Sequence, residues 1–235
     1  MRLVLWRLHI SQNNNQQLKI MKATKLNHNS LIQIVTLLFL ATGLAKGQTV
    51  VNGSFESGII LPDISIQLSA GDSTSITGWT VVSGTIDYIG TRWTAGDGNR
   101  SLDLTGSSTG TIEQIVAGFT PGQNYRLSFL VAANPEGGPT IKSLQASIGS
   151  TSQTFTFNGT GYSDANMGWS QRTMDFTATS SSMALDFTGL QNGLYGAALD
   201  AVAIAPVPEP STLSLLGSAA LVGSLGALRR RVKNK

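Results

Sequence analysis

Residues 121–131 read PGQNYRLSFLV, in which an apolar side chain occupies every second position from Tyr125 onward, after a turn. Tyr125, Leu127, Phe129 and Val131 occupy every second position, and successive side chains of a β-strand point to opposite faces. The Pro-Gly pair before them favours a tight turn. The stretch therefore predicts a strand with one buried face, entered from a turn.

The same period of two recurs through residues 48–205, between closely spaced turn signals. Further alternating runs are found at Ile64–Leu68, Leu144–Ile148, Met183–Phe187 and Leu199–Ile204, among others. Asn-Gly, Asp-Gly and Pro-Gly pairs separate these runs at short intervals. Many short strands with such spacing predict one all-β domain, an antiparallel β-sandwich of the jelly-roll type.

The N-terminal region, residues 1–47, is typical of an export signal. A short apolar run at Leu31–Leu44 follows Lys19, Lys22 and Lys25, and small residues follow the run. This order predicts a signal helix with cleavage after Ala45 or Gly47. Because a polar segment separates residues 1–10 from this pattern, we hypothesise that translation begins at Met21.

The C-terminal region, residues 206–235, has three unlike parts in a fixed order. Pro206, Val207, Pro208, Glu209 and Pro210 form a proline-rich break, which excludes continuous strand or helix. An apolar run from about 213 to 228 follows and predicts a transmembrane helix, slightly short of a full bilayer core. A basic end of Arg229, Arg230 and Arg231 then favours a cytoplasmic position for this terminus.

This three-part tail resembles the PEP-CTERM sorting signal of Gram-negative bacteria, with Val207-Pro208-Glu209-Pro210 as the motif. The resemblance implies that an exosortase, a membrane-embedded cysteine protease, processes the tail. It also implies export through the inner membrane to the cell envelope, the cell surface or the medium. An ordinary single-span anchor with a proline linker is the alternative reading of the same residues.

Residues 48–205 are acidic, although the whole chain carries a net charge of +3. Eleven of the 16 Lys and Arg residues lie in the two terminal regions, whereas 12 of the 13 Asp and Glu residues lie between them. Because no basic face remains to neutralise phosphates, we expect no nucleic-acid partner. Cys is absent, and His9 and His28 both precede this domain, which excludes a Ser–His–Asp hydrolase or a His- or Cys-ligated zinc enzyme.

The domain resembles the choice-of-anchor C family of exported bacterial proteins, and it is also similar to galactose-binding-like jelly rolls used by carbohydrate-binding modules. The residues that carry both resemblances are Val51–Glu56, Gly78-Trp79, Asp87–Trp93, Asp97–Leu104, Pro121–Tyr125, Asn166–Trp169 and Ala198–Val202. The family implies the fold but no defined activity.

Glu56 and Asp200 lie near the two ends of the domain, where the first and last strands of a jelly roll commonly meet. Two carboxylates brought together need a cation or hydrogen bonds, and calcium accepts such oxygen ligands. The resemblance to carbohydrate-binding jelly rolls implies a structural calcium here, although Ala201 stands where those modules often carry a second Asp. The alternative is that Glu56 caps a turn and Asp200 accepts backbone N–H groups.

Trp93 is the candidate sugar-stacking residue, since Arg92, Asp97, Asn99 and Arg100 surround it in a Gly-rich loop. Sugars stack their C–H faces on flat rings and bond through hydroxyls to such polar side chains. The alternative is that Trp93 packs in the core, as large aromatics in a sandwich commonly do.

The function predicted from these features is a non-catalytic, exported surface or matrix protein that adheres to or binds polysaccharide. One alternative is a purely structural matrix component without a discrete ligand. A glycoside-active enzyme is a further alternative, but it requires two carboxylates at a defined separation across a cleft, which no spacing in the sequence specifies.

Overall fold

The computed structural model describes residues 50–61 and 63–208, and these residues form eleven strands and no helix. The strands are β1 Ser65–Ser69, β2 Thr80–Ser83, β3 Thr85–Ile89, β4 Ser101–Asp103, β5 Thr111–Ala117, β6 Asn124–Ala133, β7 Ile141–Ile148, β8 Thr151–Asn158, β9 Ser170–Thr177, β10 Ser182–Gly189 and β11 Ala197–Pro206. All pairings between them are antiparallel.

The strands form two sheets that enclose one core. One sheet has six strands in the order β1-β3-β4-β11-β6-β9, and the other has five in the order β2-β5-β10-β7-β8. The core residues come from the facing sides of both sheets. The predicted antiparallel β-sandwich is therefore confirmed.

Strand β6 lies between β11 and β9 and carries the alternation found in the sequence. Its residues Tyr125, Leu127, Phe129 and Val131 are all buried. The Phe129 ring meets the rings of Phe155 and Phe187, from the other sheet, edge to face at centroid distances of 5.0 Å. Burying each such side chain contributes about 1.5–3 kcal/mol, so this one strand helps to hold both sheets together.

The chain passes from the five-stranded sheet to the six-stranded sheet at Gly84, between β2 and β3. The alternating runs in the sequence do not predict these two strands. Gly84 has a φ of 58°, and a Cβ there would collide with the carbonyl oxygen of Thr109. Only glycine tolerates this combination, so residues 80–89 become two short strands in different sheets instead of one long strand.

The segment before β1 lies along β11, which brings the two ends of the domain together. Val202 N–H donates to the carbonyl oxygen of Gly53 at 2.8 Å, and the Tyr88 hydroxyl donates to the carbonyl oxygen of Phe55 at 2.6 Å. Asn52 and Phe55 take positive φ values of 54° and 59° in this turn. The turn directs the side chain of Glu56 toward the loop between β3 and β4.

No helix that could cross a membrane is found within residues 50–61 and 63–208. The predicted signal helix and the predicted C-terminal helix both lie outside the described residues, as do Glu209, Pro210 and Arg229–Arg231.

Candidate functional site

The loop Gly96–Arg100, here called the clamped loop, is held by two carboxylates. Asp200 Oδ2 accepts hydrogen bonds from the N–H groups of Gly96 and Asp97, both at 2.8 Å. Glu56 Oε1 accepts from the N–H groups of Asn99 at 2.8 Å and Arg100 at 2.7 Å. Residues from the two ends of the domain thus fix opposite ends of one loop.

A β-bulge in β11 shapes the Asp200 end of this clamp. The register with β6 shifts between Asp200 and Ala203, and Ala201 takes a φ of 50°. Ala201 N–H donates to Asp200 Oδ1 at 2.6 Å. Burial raises the pKa of Asp200 to about 7, in spite of the backbone N–H groups that favour its ionised form, and the nearby Asp97 charge adds to the rise.

The Glu56 end of the clamp depends on a glycine. Gly98 has a φ of 69°, and a Cβ there would lie 2.5 Å from Glu56 Oε1. The carboxylate can therefore approach the loop backbone closely only because no side chain stands at position 98.

These hydrogen bonds match the metal-free alternative for Glu56 and Asp200, in which both carboxylates accept hydrogen bonds from backbone N–H groups. A calcium ion needs six to eight oxygen ligands. The described residues fit this need in part: two carboxylates flank one loop, but no three His, Cys, Asp or Glu side chains among them come together in a metal-holding arrangement. Calcium binding at Glu56 and Asp200 stays a prediction.

Trp93 packs in the core, the second of the two alternatives for this residue. Its ring is only 4% exposed, and its indole N–H donates to the Ser101 hydroxyl at 2.8 Å. The ring therefore offers no open face for a sugar, and the surface-stacking expectation is corrected. The loop that follows Trp93 returns to the six-stranded sheet, where Gly96 N–H donates to Asp200 in β11.

The polar residues predicted around Trp93 take different positions. Arg92 forms an ion pair with Glu136 at 2.9 Å and donates to the Ser65 hydroxyl at 3.1 Å. Arg100 lies over the Tyr88 ring, 5.0 Å from its centroid. Asp97 and Asn99 are exposed on the clamped loop. The structure thus brings Asp97, Asn99 and Arg100 together, but not around an exposed aromatic ring.

A second region, here called the distal cleft, was not predicted as a site. It is a cavity of about 410 Å³ between the loop 134–140 and the turn 159–161, at one end of the sandwich. Its lining residues include four glycines, and Asn134, Thr140 and Thr160 supply the polar side chains. The sequence signals were present, because the Pro135–Pro139 and Asn158-Gly159 segments indicate turns, but nothing in the sequence brings the two together.

Buried polar groups lie under the 134–140 loop. Asp103 accepts from Asn134 Nδ2 at 2.7 Å, and from the N–H groups of Thr105 at 2.9 Å and Gly196 at 3.0 Å. Burial raises the pKa of Asp103 to about 7. Lys142 is 1% exposed and donates to the carbonyl oxygens of Gly137 at 2.8 Å and Tyr195 at 2.6 Å. Desolvation lowers the pKa of Lys142 from its usual value.

The tail leaves the domain at the other end of the sandwich. Pro206 is paired with Tyr125 at the end of β11, and Val207 N–H still donates to the carbonyl oxygen of Asn124 at 2.9 Å. At the other end of the same two strands, Ala197 is paired with Ala133, which lines the distal cleft. Along β6, eight residue steps of about 3.3 Å separate Tyr125 from Ala133, so the cleft lies about 26 Å from the point where the tail begins.

Comparison with family models gives two matches that adjoin. A family described as "Protein of unknown function (DUF642)" matches residues 48–205. The PEP-CTERM protein-sorting motif matches residues 206–231, which confirms the sorting signal predicted from the tail. The resemblance to the choice-of-anchor C family stays a prediction.

Among curated proteins, the chain is similar to Halomucin of Haloquadratum walsbyi, with 33% identity over 189 residues. The match covers 75% of this chain but only 2% of Halomucin. The chain thus spans a very small part of that relative.

Several solved structures have a similar fold. The CBM22-1 xylan-binding domain of Xyn10C from Paenibacillus barcinonensis is 18% identical, with 61% of this chain and 94% of that chain covered and a TM-score of 0.39. TmCBM61, solved in complex with β-1,4-galactotriose, is 14% identical, with 68% and 99% covered and a TM-score of 0.41. The chain is similar in fold to both of these carbohydrate-binding modules.

Proposed function

The chain belongs to the family described as "Protein of unknown function (DUF642)", and from this premise we propose that it is an exported, non-catalytic surface protein that binds extracellular polysaccharide. In this proposal an exosortase processes the C-terminal tail, whose apolar helix holds the precursor in the inner membrane of a Gram-negative bacterium. The β-sandwich then serves adhesion at the cell surface or in the extracellular matrix.

The observation that carries the proposal is the direct succession of domain and sorting motif. The family match ends at residue 205, and the motif match begins at residue 206. Val207, the first residue of the Val-Pro-Glu-Pro motif, is still hydrogen-bonded to β6. A domain that directly precedes a sorting signal is expected to be its cargo, which supports a role outside the cytoplasm.

Sorting is tested by replacing Val207–Pro210 with four Ala residues in the full chain, expressed in an exosortase-producing Gram-negative host. We expect the wild-type chain to become accessible to protease added to intact cells, and the variant to remain in the inner membrane fraction. The matched control replaces Ser152–Gln153, exposed on β8, with Ala, which should leave sorting unchanged. Equal surface exposure of the wild type and the motif variant would contradict the proposed sorting.

Polysaccharide binding is tested by co-sedimentation of the full chain with insoluble extracellular polysaccharide from the producing bacterium. We expect the chain in the pellet, and its release by soluble fragments of the same polysaccharide. A chain that stays in the supernatant at every polysaccharide concentration would contradict the binding function.

A structural matrix component without a discrete ligand is the second candidate function. The burial of Trp93 favours it, because the aromatic platform expected on the surface loop is absent there. This candidate predicts that cells lacking the protein lose matrix cohesion, while the purified chain fails to co-sediment with any polysaccharide.

A further inference from the structure

We infer that the distal cleft binds a short, uncharged sugar segment, and that the sandwich presents this cleft away from the end that carries the sorting tail. The inference rests on the proposed polysaccharide binding and adds the place and the chemical class of the ligand.

Four of the nine residues that line the cleft are glycines. At Gly138 and Gly161 a Cβ would meet nothing within 4 Å, so both positions border open space. At Gly159, in contrast, a Cβ would lie 2.8 Å from the Ala133 Cβ, so the two loops touch at the base of the cleft. At Gly138 and Gly161, therefore, no side chain stands between an entering ligand and the main chain.

Both walls of the cleft are held in place before any ligand binds. Gly159 N–H donates to the carbonyl oxygen of Thr140 at 2.9 Å, which ties one wall to the other. Asn134 Oδ1 accepts from Glu136 N–H at 2.9 Å, and Asn158 Oδ1 accepts from the N–H and the hydroxyl of Thr160 at 3.0 and 2.7 Å. Such preorganisation reduces the ordering cost of binding.

The lining of the cleft is uncharged, because none of the described residues that line it carries a charged side chain. The nearest cation below the loop, Lys142, is buried and donates to two carbonyl oxygens, and Glu136 is paired with Arg92. An anionic or cationic ligand would find no partner of opposite charge, and an apolar ligand would leave main-chain polar groups unpaired. Uncharged hydroxyl groups, which both donate and accept, fit this lining.

The position of the cleft gives it access to polysaccharide. Ala133 and Ala197 mark the cleft end of β6 and β11, whereas Asn124 and Val207 mark the tail end. A domain attached through its tail end would therefore direct the cleft away from the attachment point. A volume of about 410 Å³ lies in the range of small-molecule pockets, and it suits a short sugar segment rather than a long chain.

The test measures binding of the full chain, in a detergent without a sugar headgroup, to an array of uncharged oligosaccharides and their uronate and sulfated counterparts. Three variants are compared: Thr140→Trp fills the cleft, Thr140→Val removes only a hydroxyl, and Thr120→Trp is the matched control. Thr120 is an exposed threonine at the tail end, next to Tyr125. Thr140 is also exposed, and its bond from Gly159 uses only the main chain.

We expect the wild type to bind an uncharged oligosaccharide, with affinity at least tenfold weaker in Thr140→Trp, about threefold weaker in Thr140→Val and within twofold of wild type in Thr120→Trp. Unchanged affinity in Thr140→Trp would overturn the cleft assignment but leave the binding function standing. Binding only to uronate or sulfated probes would overturn the ligand class. No binding by the wild type to any probe would overturn the binding function together with this inference.

Discussion

The clamped loop and the distal cleft are both glycine-rich, yet glycine does opposite things in them. At Gly98 the missing side chain lets a carboxylate oxygen approach, and the loop closes on the protein itself. At Gly138 and Gly161 the missing side chain leaves open space. The loop N–H groups do not separate the two cases, because four of them in the clamped loop bond to Asp200 and Glu56, and those of Glu136, Gly159 and Thr160 bond within the walls of the cleft. A polar, glycine-rich loop therefore indicates a binding site only where the space beside it remains open.

The largest expected effect concerns Trp93, at the base of the clamped loop. Because its ring is buried and its N–H is bonded to Ser101, we expect Trp93→Ala to lower the free energy of unfolding by about 3–5 kcal/mol. Urea unfolding followed by fluorescence of the remaining tryptophans measures this change.

The control for this experiment is Ile115→Ala, which truncates a side chain that is 61% exposed on β5. We expect this change to alter stability by less than about 0.5 kcal/mol. A Trp93→Ala variant with unchanged stability but lost polysaccharide retention would show that Trp93 acts as a ligand-binding residue after all.

The next expected effect is a pH dependence of stability. It arises from two buried carboxyl groups, one beside the clamped loop and one beside the distal cleft. Burial raises the pKa of Asp200, which holds the clamped loop, and of Asp103, which holds the cleft loop through Asn134, to about 7 each. Their pKa values in the unfolded chain are about 3.9. Between these values the folded protein binds more protons than the unfolded chain, so stability falls as the pH rises from about 4 through 7.

Each carboxyl group contributes up to about 4 kcal/mol to this fall, at about 1.4 kcal/mol per pKa unit. Denaturation curves between pH 4 and pH 8 measure it, and Asp103→Asn and Asp200→Asn should each flatten part of the slope. Stability that rises over this range, or a slope that neither variant changes, would mean that both carboxyl groups ionise in the fold without cost.

Much of the fold could be predicted from the sequence because its cause is local. In β6 the alternation of Tyr125, Leu127, Phe129 and Val131 is a direct record of one buried face. The sheet change at Gly84 could not be predicted, since it depends on the carbonyl oxygen of Thr109, 25 residues away. The two clamp carboxylates can be paired from the sequence because they lie at the ends of the domain. The sequence leaves the burial of Trp93 open, since burial depends on where the following loop returns, and it does not predict the cleft, whose two walls come from separate turns.

The third expected effect is stabilisation by calcium, which would involve only the clamped loop. If calcium binds to Glu56 and Asp200, an excess of 100 times its Kd should stabilise the folded chain by about 2.7 kcal/mol. Calorimetric melting with EDTA and then with calcium measures the shift, and Glu56→Gln is the control that should abolish it. No shift in the wild type would leave the hydrogen bonds from residues 96–100 as the whole of the clamp.

The smallest effect compares glycines of similar backbone conformation, Gly98 with a φ of 69° and Gly161 with a φ of 82°. Alanine at either position carries the left-handed strain of about 1–2 kcal/mol. At Gly98 the new Cβ also displaces the Glu56 carboxylate from the N–H groups of Asn99 and Arg100, and hydrogen bonds to a charged group contribute about 1.5–3 kcal/mol. Gly98→Ala should therefore be the more destabilising variant by that amount in urea unfolding.

In the binding assay, the same two variants test whether the oligosaccharide binds at the distal cleft or at the clamped loop. Gly161→Ala adds a methyl group to the border of the cleft, whereas Gly98→Ala alters a loop that is already occupied by Glu56. We expect Gly161→Ala to weaken oligosaccharide binding severalfold and to lose only the backbone strain of about 1–2 kcal/mol in stability. We expect Gly98→Ala to lose more stability, while its folded fraction binds as the wild type does. If Gly98→Ala instead weakens binding and Gly161→Ala does not, the exposed side chains of Asp97 and Asn99 form the ligand site, and the clamp serves to hold them for it.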